Sequence, residues 1–198
     1  MNILIAGATG KTGTRLVREL GSRGHNPIAL VRESSDTSSL PSDVELREGD
    51  LTDLQDGVCE NCDIVIFAAG SGGDTSAEMT DKVDRDGAKR LIDLAVKADV
   101  QRFVMLSSVG ADNPAQGGEM EHYLQAKHDA DVYLRASGLK YAIVRPVALT
   151  DADGSREIRL GTEVDEKGEA ARGDVAFILA NAADSESWMN VTASMESI

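Results

Sequence analysis

Residues 3–13, ILIAGATGKTG, constrain the fold more than any other stretch of the chain. An apolar run, Ile3 to Ala6, stops at Gly7, and two more glycines follow at three-residue intervals, Gly10 and Gly13. A helical pattern starts there, with Leu16, Val17 and Leu20 apolar among Arg15, Arg18 and Glu19. The order is strand, glycine turn, helix. Gly7 lets the chain turn sharply off the strand, Gly10 lets backbone approach a pyrophosphate, and Gly13 lets the helix pack tightly on the sheet. The helix N-terminus offers free N–H groups and a partial positive charge to phosphates. The spacing is G-x-x-G-x-x-G rather than the commoner G-x-G-x-x-G, so the motif takes its weight from its setting in a chain that continues as strand–helix alternation.

A length of 198 residues suits one domain with a substantial core. The 20 basic residues face 34 acidic ones, a net charge of −14. That balance argues against nucleic acid and anionic membrane as partners, since both need basic patches. It favours solubility and also suits a high-salt cytoplasm. No apolar stretch approaches the ~20 residues of a membrane span, and no basic leader precedes the first strand, so the expected location is cytoplasmic. Cys59 and Cys62 form a C-x-x-C, but His25, His122 and His128 are far off in sequence. No metal site is expected, and Cys62 reads as a small residue ahead of the strand at Ile64.

The second apolar run, Ile28 to Val31, ends in Arg32. Sites that select NAD usually carry Asp or Glu about 20 residues past the glycines, where it binds the ribose 2′-hydroxyl. Arg32 offers a planar fork to a 2′-phosphate instead, with Ser34 and Ser35 adding hydroxyls. This points to NADP, and Glu33 leaves NAD open. Val44 to Arg47 is a third strand, with Asp50 and Leu51 at its carboxyl end; Thr52 or Asp53 is suited to cap a helix running to about Cys59. A fourth strand, Ile64 to Ala68, ends in Ala68-Ala69-Gly70-Ser71-Gly72-Gly73, small residues over which a cofactor can lie flat. A helix from about Thr80 to Ala98 contains Gly87, which implies close packing on a neighbour. The fifth strand, Arg102 to Leu106, runs into Ser107 and Ser108. A helix from about Glu119 to Ala136 precedes the sixth strand, Tyr141 to Val144. Beyond it come a short strand at Glu157 to Leu160, a helix from Gly173 to Ala183 and a last strand at Trp188 to Thr192. The pattern predicts an α/β fold, a doubly wound, mostly parallel Rossmann sheet over residues 1–198, with a short C-terminal substrate cover. Ligands bind such a sheet at its carboxyl edge, where every motif above falls.

Within the fourth helix, Tyr123 and Lys127 form Y-x-x-x-K. Residues i and i+4 share a helix face, so both can point into the cleft. A phenol titrates near pH ~10, too high for easy proton exchange at neutrality. A nearby ammonium favours the phenolate and lowers that value. Tyr123 can then give a proton to a carbonyl oxygen while hydride reaches its carbon. Ser107 or Ser108 can hydrogen-bond the same oxygen.

Seven segments in order, GATGKTG, ALVR (29–32), GDLTD (49–53), FAAG (67–70), MLSSVGAD (105–112), YLQAK (123–127) and YAIVRP (141–146), resemble the atypical short-chain dehydrogenase/reductase family. More narrowly, they resemble its small NAD(P)H-binding branch, which holds flavin reductase/biliverdin reductase B-like and NmrA-like proteins. The resemblance implies that Gly7, Thr9, Gly10, Lys11, Thr12 and Gly13 hold the pyrophosphate and Arg32 the 2′-phosphate. It also implies that Asp50 and Leu51 flank the adenine, and that Ala68, Ala69 and Gly70 flank its ribose. Lys127 would hold the nicotinamide ribose, with Pro146 and Val147 near the nicotinamide. Val147 stands where relatives often carry glycine.

The expected function is an NADP(H)-dependent oxidoreductase that passes hydride to a small carbonyl, quinone or flavin-like acceptor. Its partners would be that acceptor and at most a second copy of itself, as a monomer or weak homodimer. Two alternatives share the edge: a non-enzymatic NADP(H) sensor, and a sugar-nucleotide epimerase or dehydratase, which in its family carries a larger C-terminal domain.

Overall fold

The computed structural model describes residues 1–71 and 75–198; Gly72 and Gly73, the end of the small-residue stretch, lie outside the described residues. β1 (Asn2–Ala6) leads through the glycine turn into α1 (Lys11–Ser22), then β2 (Asn26–Val31), β3 (Glu45–Glu48) and β4 (Ile64–Phe67). The next helix is built in three parts: α2 (Ala77–Thr80), a π-helical turn (Asp81–Gly87) and α3 (Ala88–Lys97). β5 (Arg102–Leu106), α4 (Glu121–Ala136) and β6 (Tyr141–Pro146) follow. The remainder forms β7 (Ala148–Thr150), β8 (Ile158–Leu160), β9 (Glu169–Ala171), α5 (Arg172–Asp184) and β10 (Val191–Ser197).

The main sheet has the order β3-β2-β1-β4-β5-β6-β10-β8, and only β8 runs antiparallel. β7 and β9 pair separately, in parallel. This is the doubly wound Rossmann arrangement the alternation predicts. Buried on both faces, the central strands are continuous apolar runs. Ile3 and Ile5 of β1 pack with α1 and α5 on one side, while Leu4 and Ala6 pack with α3 and α4 on the other.

Two local expectations fail. Residues 53–60 form turns rather than a helix. Leu54 and Val58 are buried with helical spacing, but Gly57 has a φ of +89°. Arg47 Nη1 then binds the carbonyls of Val58 and Glu60. The last strand lies at Val191–Ser197, not at Trp188–Thr192, because Glu186–Trp188 is a 3-10 turn that buries the indole.

Candidate active site

β1 and β4 are neighbours, and the chain leaves them toward opposite ends of the sheet. Their carboxyl ends therefore open the crevice where such sheets take ligands. Gly7 turns the chain there with a φ of +84°. A Cβ on Gly7 would lie 2.6 Å from Ala69 N, and one on Gly13 would lie 2.0 Å from the Gly7 carbonyl oxygen. These two glycines let β1, α1 and the end of β4 meet backbone to backbone. Gly10 is different. It is exposed, and its Cβ would meet only the Gly7 oxygen, at 3.3 Å. Gly10 is also the N-cap of α1, with no side chain capping the helix. An open helix N-terminus beside a glycine is the donor set a pyrophosphate needs, so the residues present fit a dinucleotide.

Around that turn, Thr9, Asp50, Leu51, Ala68 and Ala69 are half-buried, Gly70 is exposed and Thr12 is buried. Arg32 is exposed at the end of β2; its N–H donates to Ser35 Oγ, leaving the guanidinium outside that turn. Asp50 accepts the backbone N–H and the hydroxyl of Thr52, which hold its carboxyl below the usual range. Lys11 is the first residue of α1. Its ammonium meets Asp151 at 2.6 Å, and Arg172 meets the other oxygen of the same carboxylate at 2.6 Å. Arg15 donates to the Asp151 carbonyl and pairs with Asp153.

At the other end of the crevice, Lys127 is 2% exposed. Its Nζ lies 2.8 Å from Asp84 Oδ1, and it donates to the carbonyls of Ala69 at 3.5 Å and Leu106 at 3.4 Å. It sits 5.6 Å from the centroid of the Tyr123 ring, over its face. Burial pulls the lysine pKa down, but the charges of Tyr123, Asp84 and Asp131 outweigh it, and the net direction is upward. Tyr123 itself is half-buried.

The two serines separate. Ser107 is buried and donates to Asp131 Oδ2 at 2.9 Å. The same oxygen accepts Arg145 Nε and Nη2 at 3.1 and 2.9 Å. Burial pushes the Asp131 carboxyl up, against the pull of Arg145. Ser108 is half-buried, its Oγ donating to the Val109 carbonyl. Pro146 ends β6, and the Val147 side chain lies in the apolar core on the α5 side. A valine there fills core volume that glycine would leave open.

Asp84, Asp131 and Asp151 lie outside every motif above, and Arg145 lies within YAIVRP without a role assigned from it. A trace exists: Asp84 shares the i, i+3, i+4, i+7 stripe with Gly87, Ala88 and Leu91, all buried. Lys127 and Asp131 stand on the corresponding stripe of α4 with Leu124 and Leu134. Charges on an apolar stripe imply buried partners.

Fold and crevice together define a Rossmann nucleotide-binding protein. Residues 7–186 match the NAD(P)H-binding family, and the chain belongs to that family. The Bacillus subtilis protein YhfK, named an uncharacterized sugar epimerase, is 36% identical over 184 residues, covering 89% of this chain and 85% of that protein. A Bacillus halodurans structure named for the NAD-dependent epimerase/dehydratases aligns with a TM-score of 0.93 at 33% identity, covering 100% of this chain and 94% of that one. The Lactococcus lactis oxidoreductase ylbE aligns at 0.87 with 28% identity, covering 100% and 91%. Among the described residues, no helix is long and apolar enough to cross a membrane.

Proposed function

We propose that the protein is an NADP(H)-dependent oxidoreductase that passes hydride to a small carbonyl, quinone or flavin-like acceptor. The observation that carries this reading is the convergence of the Gly10 helix end and the Tyr123–Lys127 pair on one sheet edge. Arg32 supports NADP, as an exposed cation where NAD sites place an acid. When bound, the nicotinamide supplies the hydride.

The chain's own residues do the rest. Gly10 and the first turn of α1 bind the pyrophosphate, and Lys127 orients the far ribose. Tyr123 donates its hydroxyl proton to the oxygen of a carbonyl acceptor, and Ser108 steadies that oxygen. Lys127 lies over the Tyr123 ring, and Asp84 balances its charge. Acceptors whose reduced anion is stable, quinones and flavins, need no proton in the hydride step and so do not depend on Tyr123.

Mixing the protein with NADPH and a panel of quinones, flavins and aldehydes tests the reading. Oxidation of NADPH by at least one class is expected; tight NADPH binding without oxidation by any of them overturns it. Tyr123→Phe should slow aldehyde reduction by about 10²–10⁴-fold and leave quinone or flavin reduction almost unchanged.

The epimerase names of the relatives favour a second reading, in which hydride is borrowed from a sugar carbon and returned. That enzyme would interconvert a sugar with no net NADPH consumption.

A further inference from the structure

The carboxylate that meets Lys127 lies in the π-helical turn Asp81–Gly87. Such turns are rare inside helices and frequent at functional positions. Here Asp84 is fully buried, and Gly87 lets the turn close on β3's end: a Cβ on it would lie 2.8 Å from the Leu51 carbonyl oxygen.

Asp84 joins two parts of the crevice. Oδ1 is 2.8 Å from Lys127 Nζ, an ionic contact rather than a directed hydrogen bond. Oδ2 accepts the backbone N–H of Ser71 at 2.9 Å. Ser71 follows the Ala68–Gly70 segment that would line the adenine ribose. One buried carboxylate thus ties the lysine of α4 to the end of β4.

Among the described residues, Asp84 is the one carboxylate within ion-pair distance of Lys127. β4 and β5 present the Ala69 and Leu106 carbonyls and the Phe67 ring, 5.8 Å away. On α4, Tyr123 offers a ring face, and Asp131, whose Oδ2 is held by Arg145 and Ser107, adds its charge without forming an ion pair with Lys127. In the π turn, Asp81 is paired with Arg85 and His122. An ammonium buried without a counterion sheds its proton.

We propose that Asp84 is a positioning residue: it keeps Lys127 charged inside the protein and holds its ammonium at the crossing of the β4 and β5 ends, where the nicotinamide ribose binds. The proposal rests on the cofactor placement above but not on any acceptor. Its linkage sign is fixed. A lysine whose pKa is raised in the folded state gives stability and binding that are present below the free lysine value of about 10.4. Both are lost as pH rises through the folded value.

The test is a fluorescence titration of NADPH between about pH 6 and pH 10. Wild-type affinity should be flat across this window. Asp84→Asn keeps an acceptor for Ser71 but removes the charge. Its affinity should fall by about tenfold or more at neutrality, and its alkaline loss should begin at least about one pH unit lower. Asp84→Glu should restore the wild-type pH profile. A folded Asp84→Asn protein with the wild-type profile overturns the proposal. If Asp84→Asn does not fold, the D84N/K127M double variant decides. With both charges gone, it should fold, bind NADPH weakly and show no pH dependence. An unfolded double variant, or one with wild-type affinity, overturns the proposal. A wild type that binds NADPH but reduces no acceptor removes the oxidoreductase reading and leaves this titration to stand by itself.

Discussion

The ammonium of Lys11, inside the glycine motif, lies 2.6 Å from the Asp151 carboxylate, 140 residues away in sequence. Arg172 binds the same carboxylate, so the loop after β7 is fastened over the start of α1. Lys11 holds the Asp151 carboxyl below its usual range. The contact is exposed, and an exposed pair adds little to stability. Its larger effect is on the cation available to phosphate. Asp151→Asn should leave the melting temperature nearly unchanged and tighten NADPH binding about threefold at low salt, with the gain lost by about 1 M salt. Calorimetric titration at two salt concentrations checks both parts.

The glycines of the motif should separate into two classes. Gly13→Ala forces a Cβ to within 2.0 Å of the Gly7 oxygen, against backbone that cannot yield. It should cost about 3 kcal/mol or more, or abolish folding. Gly10→Ala meets only a 3.3 Å contact. It should cost at most about 1 kcal/mol of stability yet weaken NADPH binding about tenfold, because the lost space is the ligand's. Urea denaturation and cofactor titration on the same two variants distinguish these effects.

On the function proposed above, Arg32 sets the preference between the two cofactors. Its guanidinium is exposed at the end of β2. Charge-assisted bonds of this kind are worth about 1.5–3 kcal/mol. Arg32→Ala should therefore weaken NADPH by about tenfold to a hundredfold and change NADH by no more than about twofold. Equal losses for both cofactors would show that Arg32 does not meet the 2′-phosphate.

Cys59 and Cys62 are free and buried. Burial pushes the Cys59 thiol up to about 12, and Cys62 also rises despite Arg47 at 3.1 Å. The thiolate, which is the reactive form, is then scarce at neutral pH. Thiol reagents should modify neither cysteine in the native protein near pH ~8 and both after denaturation. Rapid native labelling would revive a redox role for the C-x-x-C.

Much of the frame was legible in the linear chain because its causes are local. Gly7, Gly10 and Gly13 specify a strand–turn–helix through their missing Cβ atoms. The apolar runs of β1, β4 and β5 announce strands buried on both faces, and Tyr123 and Lys127 share a face by helical geometry alone. Other features depend on partners that only folding supplies. Leu54 and Val58 have helical spacing, yet Arg47 and Gly57 turn the segment away from a helix. β10 is a mixed sequence, VTASMES, that becomes a strand because β6 and β8 flank it. The pairing of Asp84 with Lys127 and of Asp131 with Arg145 follows no spacing rule. A buried charge must find its counterion somewhere in the fold. The sequence requires that such a partner exist, and the tertiary structure determines which residue it is.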